Sequence, residues 1–208
     1  MTTDNVCVVS LSASQEIQKR VFDLFFSSFG LLVTWWLILA AWLAASFDTR
    51  SNGFFIQKRV GRNGKVLRVV KIKTMSVVTG IDTTVTRRGD PRITQLGAFF
   101  RRTKIDELPQ LWNVLLGDMS FVGPRPDVPG FADRLEGEAR AILSLRPGIT
   151  GPATLKYRNE EEILSKQFDP ESYNRQVIWP DKVRINLEYI RSWSLRRDIQ
   201  YMLDTVFH

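Results

Sequence analysis

The chain has 208 residues, enough for one compact domain and a membrane anchor, and its 29 Lys and Arg outnumber 22 Asp and Glu, giving a net charge of +7. Such a charge suits nucleic acid, an anionic lipid surface or phosphorylated substrates as partners. The single cysteine excludes an internal disulfide. Because the chain also has only one histidine, the usual nucleophile–base pairs and His/Cys metal sites are nearly unavailable. Any chemistry therefore has to rest on carboxylates and cations.

A long uncharged segment follows the N-terminal residues. Residues 1–20 lack a strong hydrophobic period and are predicted to form a polar arm. Residues 24–47 contain no charge, and as a straight helix they would extend about 36 Å, against roughly 30 Å of bilayer hydrocarbon. Lys and Arg flank the segment on both sides, which favours a return to the cytoplasmic face, while a spanning helix and a buried core helix remain as alternatives.

The remaining residues, 49–208, are predicted to form one mixed α and β domain. Apolar residues alternate or recur at helical spacing between clusters of turn residues. The predicted elements are strands at 54–56 and 66–70 around a turn at 61–64, helices over 94–102 and 105–116, and a C-terminal amphipathic helix whose face includes Leu195, Ile199, Met202, Leu203 and Val206, with Ser194 as its N-cap.

Two adjacent carboxylates, Asp106 and Glu107, occur among cations in the stretch RRTKIDELPQL. Pro109 is tolerated only in the first turn of a helix, where its missing N–H would be unpaired in any case, so a helix is expected to begin near Ile105. A helix N-terminus favours carboxylates and bound phosphates alike. Taken alone, the pair is better explained as ordinary carboxylates at a helix start than as a catalytic site.

Several motifs give these carboxylates a context. The stretch from Lys71 to Thr154 resembles the catalytic core of bacterial sugar transferases, the monotopic phosphoglycosyl transferases. The Asp–Glu block followed by GDMSFVGPRP is the most specific part of the resemblance. The matching motifs are KRVFD at 19–23, KIKTM at 71–75, DPRIT at 90–94, the block at 106–107, GDMSFVGPRP at 117–126, RPGITG at 146–151 and YIRSWSL at 189–195.

The resemblance implies a fold and an activity. It implies a mostly helical catalytic domain with short strands at 49–208, on the cytoplasmic face of the bacterial inner membrane, preceded by a re-entrant membrane helix at 21–48. The family transfers a phosphosugar from a UDP-sugar to polyprenyl (undecaprenyl) phosphate in the inner leaflet and releases UMP. Its members normally break the membrane helix at a central Ser–Pro, where this chain has Trp35 and Trp36.

The resemblance also assigns roles to residues. Asp106 is expected to be the nucleophile that forms a covalent aspartyl phosphosugar, and Glu107 is expected to act with it in catalysis and in binding Mg²⁺, which prefers oxygen ligands. Four cations match positions that bind phosphate or substrate: Lys71, Arg101, Arg125 and Arg158. A homodimer is compatible with the resemblance, and no nucleic-acid partner is expected.

Two other classes of function are weighed against this hypothesis. A catalytically inactive, membrane-attached scaffold would have no need of Asp106 and Glu107 among arginines. Nucleic-acid binding is suggested only by net charge, and neither the uncharged segment nor any recognisable motif favours it. Asn186 falls where relatives often carry an acidic residue, and Trp179 and Trp193 are candidates for stacking on uracil, although packing in the core is the more common role of tryptophan.

Overall fold

The computed structural model describes residues 10–77 and 89–207, so Cys7 and His208 lie outside the described residues. The predicted mixed architecture, mostly helical with short strands and one long apolar N-terminal helix, is confirmed. The helices and strands are α1 Ala13–Thr49, β1 Phe54–Val60, β2 Val66–Ile72, α2 Gln95–Thr103, α3 Gln110–Leu116, β3 Ser120–Val122, β4 Gly148–Thr150, α4 Pro152–Lys156, α5 Glu160–Ser165, α6 Pro170–Tyr173, α7 Trp179–Arg191 and α8 Leu195–Phe207.

The predicted hairpin is present and longer than expected. Strands β1 and β2 pair antiparallel from Phe54 opposite Ile72 to Val60 opposite Val66. The turn between them is a short 3-10 segment in which Asn63 and Gly64 have φ of 58° and 76°. Asparagine and glycine tolerate this left-handed region best, which is why the turn forms at these residues.

Helix α1 begins earlier than the expected arm allows. Ser12 caps the helix: its hydroxyl accepts from the backbone N–H of Gln15, and the Gln15 side chain accepts from the backbone N–H of Ser12. This reciprocal capping box satisfies two backbone donors that would otherwise lack partners and starts the helix at Ala13. The arm predicted over residues 1–20 is therefore wrong for residues 13–20, which are helical.

Helix α1 is continuous, without the break that a re-entrant hairpin requires. It runs for 37 residues, and no residue within it has positive φ. The Ser27 and Thr34 hydroxyls donate to the carbonyls of Asp23 and Gly30, at 2.6 and 2.7 Å, inside an intact helix. The turn that the resemblance implies within residues 21–48 is thus not observed. Among the described residues, α1 is the helix long and apolar enough to cross a bilayer.

One face of α1 packs along the domain and the other is exposed. Its buried residues Lys19, Asp23 and Ser27 recur every fourth position, and Ala41 and Ala45 continue the face against Ile72 and Phe100. The opposite face exposes large apolar side chains, including Phe25, Phe29, Leu32, Trp35, Trp36 and Phe47. Both ends of the apolar segment therefore contact the same folded domain.

The C-terminal helix divides its apolar residues between core and surface. Leu195 and Met202 pack on the main hydrophobic cluster, while Ile199, Leu203 and Val206 are exposed. Ser194 caps α8 as expected, since its Oγ accepts from the backbone N–H of Arg197 at 3.4 Å.

A buried polar cluster ties α8 to α1. Lys19 Nζ lies 2.5 Å from Asp198 Oδ2, and Tyr189 and Trp193 also donate to the Asp198 carboxylate. Trp193 is thus a core residue, as the more common role of tryptophan suggested. Trp179 packs edge-on against Phe131.

Candidate functional site

The two carboxylates lie in a 3-10 turn between α2 and α3. Helix α2 ends at Thr103, and Lys104 reverses the chain with φ of 59° and ψ of 14°. Ile105–Glu107 forms a single 3-10 turn, and α3 starts only at Gln110. The expected helix start near Ile105 is therefore several residues too early, because Pro109 has no N–H to donate into a continuous helix.

Glu107 is held by two of the predicted cations. Lys71 Nζ donates to Glu107 Oε1 at 3.0 Å, and Arg125 Nη2 donates to the same oxygen at 2.8 Å. Burial alone would raise the pKa of Glu107, but Arg125 and Lys71 outweigh it and hold that pKa well below its usual range. Glu107 is consequently an anion over the whole physiological pH range, and its Oε2 accepts nothing from the described residues.

Asp106 has a different environment. Its side chain is buried, with 8% of its surface exposed, and no described residue donates to its Oδ1. Burial raises the pKa of Asp106 and the neighbouring Glu107 raises it further, against Lys71, Lys104 and Arg101. Two adjacent carboxylates thus have pKa values shifted in opposite directions, which is typical of pairs with separate acid–base or nucleophilic roles.

Asn113 fixes the geometry between Lys71 and the carboxylates. This α3 residue is 3% exposed and uses both ends of its amide on the free edge of β2. Its Oδ1 accepts from the Val70 N–H at 3.1 Å, and its Nδ2 donates to the Arg68 carbonyl at 2.8 Å. The amide takes the place of a neighbouring strand, so that β2, which carries Lys71, is locked to the helix that follows Glu107.

Arg125 is positioned by the crossing of two motifs. The Gly123 N–H donates to the Thr150 carbonyl at 2.9 Å, and the Gly148 N–H donates to the Pro124 carbonyl at 2.8 Å. A Cβ on Gly148 would lie 2.2 Å from the Gly123 nitrogen, so no other residue fits at this crossing. The requirement explains why GPRP and RPGITG occur together in one sequence.

The strand that leads to Arg125 is also attached to α1. Asp23 Oδ1 accepts from Ser120 Oγ at 3.0 Å and from the Phe121 N–H at 3.1 Å. Arg20 donates to the backbone carbonyls of residues 114 and 115, at 2.7 and 2.8 Å, near the C-terminus of α3. The KRVFD motif therefore holds β3 and α3 in place.

The other two predicted cations have partners other than Glu107. Arg101 donates to Thr74 Oγ1 at 3.1 Å and pairs with Glu161 at 3.3 Å, and its charge acts on Asp106. Arg158 is exposed and donates to the Asp204 carbonyl in α8 at 3.4 Å. No described contact joins Arg158 to the carboxylates, so its role in phosphate binding stays a prediction.

The structure adds residues that the sequence did not single out. Lys104 acts electrostatically on both carboxylates, and its position directly before them was the available signal. Asp127 follows Arg125 by two residues and is surrounded by the charges of Arg125, Arg59 and Lys182. Arg59 and Lys182 come from distant parts of the chain, so no local pattern could connect them with Asp127.

The carboxylates fit a divalent cation that also binds phosphate. Mg²⁺ is usually held by one or two carboxylates together with substrate phosphates and water, and not by a cage of protein ligands. Asp106 Oδ1 and Glu107 Oε2 belong to consecutive residues, and neither oxygen accepts a hydrogen bond from the described residues. Across residues 10–77 and 89–207 no group of three or more His, Cys, Asp and Glu is assembled.

Comparison with known proteins identifies relatives along almost the whole chain. UDP-glucose:undecaprenyl-phosphate glucose-1-phosphate transferase of Escherichia coli is 34% identical over 95% of this chain and 41% of its own length. A protein of the same name from Caulobacter vibrioides is 34% identical over 92% of the chain and 69% of its length. Undecaprenyl-phosphate glucose phosphotransferase of Komagataeibacter xylinus is 37% identical over 94% of this chain and 36% of its own length.

These matches cover almost the whole of this chain but only part of some relatives. The chain spans about two-fifths of the length of the Escherichia coli and Komagataeibacter relatives, so these similarities concern one part of longer proteins. The model of the family described as bacterial sugar transferase matches residues 14–208, which contain α1, the paired carboxylates and both glycine-containing motifs. The chain therefore belongs to the bacterial sugar transferase family.

Proposed function

We propose that this protein transfers a phosphosugar from a UDP-sugar to undecaprenyl phosphate, producing undecaprenyl diphosphosugar and UMP. The observation that carries the proposal is the pairing of a buried carboxylate without donors, Asp106, with Glu107, an anion held by Lys71 and Arg125. The names of the relatives support the substrate classes, since they combine a UDP-sugar or a sugar phosphate with undecaprenyl phosphate.

The first chemical step uses Asp106 as the nucleophile. A carboxylate oxygen of Asp106 attacks the phosphorus that bears the sugar, the bond from this phosphorus to the bridging oxygen breaks, and UMP leaves with the electron pair. Burial strengthens Asp106 as a nucleophile by raising its basicity. Lys71, Arg125 and Lys104 offset the negative charge that accumulates as the carboxylate approaches the diphosphate.

The second step regenerates the enzyme. A phosphate oxygen of undecaprenyl phosphate attacks the aspartyl phosphosugar, and the Asp106 carboxylate departs as the diphosphate bond forms. Arg125, whose side chain is 43% exposed, lies at the open side of the site, where its guanidinium can bind phosphate oxygens in pairs. When bound at Asp106 and Glu107, Mg²⁺ would neutralise phosphate charge during both steps.

The membrane location is part of the same proposal. The uncharged face of α1 contacts lipid while both of its ends remain attached to the catalytic domain, at Asp23 and at Ala45. This arrangement supports a domain that stays on one side, which we place on the cytoplasmic face of the inner membrane because UDP-sugars are cytoplasmic. The acceptor phosphate then reaches the site from the headgroup region.

The reaction is tested with radiolabelled UDP-glucose, the sugar nucleotide of the relatives' names, and with UDP-galactose and their N-acetyl analogues. The detergent-solubilised protein is mixed with undecaprenyl phosphate and Mg²⁺, and both UMP and labelled lipid are measured. We expect equal amounts of the two products, and none with Asp106→Asn. Full activity of a well-folded Asp106→Asn variant that has not deamidated would refute the assignment, and an inactive scaffold would release no UMP from any donor.

A further inference from the structure

Asp127 lies next to the proposed site, and its carboxylate takes no part in the two chemical steps. Asp127 is half-buried, and Arg125, two residues earlier, lines the same small pocket. Two residues of chain span at most about 7 Å, so both side chains are within reach of one hexose phosphate. Position alone makes Asp127 a candidate for contact with the group transferred.

The backbone around Asp127 is rigid. Pro126 and Pro129 restrict the chain on either side, and the Asp127 carbonyl accepts from the Val60 N–H at 2.8 Å. Arg59 adds a hydrogen bond from its guanidinium to the Pro126 carbonyl at 3.3 Å. The carboxylate is therefore presented from a fixed segment, as a group that discriminates between ligands must be.

Cations surround Asp127 without bonding to it. The charges of Lys182, Arg59 and Arg125 all act on the carboxylate, yet Lys182 Nζ instead pairs with Glu160 at 2.6 Å and Arg125 with Glu107 at 2.8 Å. No described residue donates a hydrogen bond to the Asp127 side chain, which leaves its oxygens available. These free oxygens can accept hydrogen bonds from a neutral donor, such as a hydroxyl group.

We infer that Asp127 accepts hydrogen bonds from hydroxyl groups of the sugar and thereby selects among UDP-sugars. The inference rests on the proposed function and specifies its donor. Because Arg125 and Asp127 line the same pocket, a hexose 1-phosphate with its phosphate at Arg125 would have its hydroxyl groups within reach of the Asp127 carboxylate. A site built to bind a hydroxyl strongly disfavours an epimer that moves it, since the acceptor then stays unpaired.

The same chemistry could be supplied by the ribose hydroxyls or the uracil N–H of the nucleotide. The test therefore compares two measurements on the 208-residue protein in detergent. The first is kcat/KM for UDP-glucose, UDP-galactose and their N-acetyl analogues. The second is inhibition by UDP, which contains the nucleotide and lacks the sugar.

For Asp127→Asn we expect kcat/KM for the preferred sugar to fall about 10- to 100-fold, as for loss of a hydrogen bond to a charged acceptor. The ratio between the preferred sugar and its epimer should fall by a similar factor, and inhibition by UDP should stay within about twofold of wild type. Asp127→Ala should behave likewise. Glu136→Gln removes one negative charge from an exposed residue nine positions later in the chain and should match wild type.

Several results would overturn the inference. Equal losses for all sugars with a parallel loss of UDP inhibition would assign Asp127 to the nucleotide, and unchanged ratios would show that it touches no ligand. A wild-type enzyme that uses all four sugars equally would also contradict a selecting role. Failure of the proposed function is a different result, namely no release of UMP by wild type from any UDP-sugar.

Discussion

Asn113 offers a quantitative test of how the fold builds the site, through the variant Asn113→Ala. The change removes two hydrogen bonds, each contributing about 1 kcal/mol net, and leaves the Val70 N–H and the Arg68 carbonyl without their side-chain partner. Because a buried group without a partner costs about 1–3 kcal/mol, we expect the free energy of unfolding to decrease by about 3 kcal/mol. For a chain of this size that lowers Tm by about 6–12 °C.

The assay combines thermal unfolding in detergent with UMP release at a temperature where the variant stays folded. Since β2 carries Lys71, activity should fall even in the folded variant. Asn159→Ala is the matched control, because Asn159 is exposed and makes no side-chain cap bond, and it should unfold within about 1 kcal/mol of wild type. An Asn113→Ala protein as stable and as active as this control would refute the proposed locking of β2 to α3.

Three further predictions concern charge and topology. Glu107→Gln should reduce activity by at least about 10- to 100-fold and change the Mg²⁺ dependence of UMP release, and an unaltered dependence would count against metal binding at Glu107. Burial raises the pKa of Asp127 from 3.8 to about 6, so its charge destabilises the fold at neutral pH. By linkage, the free energy of unfolding of Asp127→Asn should exceed that of wild type by about 1–3 kcal/mol at pH 8. This gain should vanish as the pH falls from 6 to below 4, where the wild-type carboxyl is protonated. Urea unfolding that shows the same gain at every pH would contradict the prediction. A cysteine placed near Ser12, in a Cys7→Ser background, should resist an impermeant thiol reagent in intact cells and react in opened ones. Labelling of intact cells would instead show that α1 spans the membrane.

The sequence predicted the parts of the site that depend on local pattern or on the resemblance. Lys71 and Arg125, which the resemblance singled out, both contact Glu107, while their binding of phosphate stays a prediction. The hairpin formed where turn residues separate the two predicted strands. The start of α1 was missed although its signal, Ser12 followed three residues later by Gln15, is printed in the sequence. The mostly polar residues 13–18 concealed this start, because they show no helical hydrophobic period even though the capping pattern indicates a helix.

Other features depend on contacts between distant residues and have no local signal. Asp23 reaches Ser120 across 97 positions of the chain, and Asn113 acts on a strand edge whose neighbour only the fold determines. Gly30 of α1 lies close to Leu111, where a Cβ would come within 3.1 Å of the leucine side chain, and hydropathy alone does not reveal this contact.

The most direct test of the central claim, that Asp106 is a covalent nucleophile, omits the acceptor. The enzyme is mixed with UDP-sugar and Mg²⁺, quenched, and examined for UMP and for the mass of its peptides. We predict UMP in an amount close to that of the enzyme and a phosphosugar on the peptide containing Asp106, removed when undecaprenyl phosphate is added. Release of UMP only in the presence of acceptor, with no adduct on Asp106, would contradict the two-step mechanism and favour direct transfer between the two substrates.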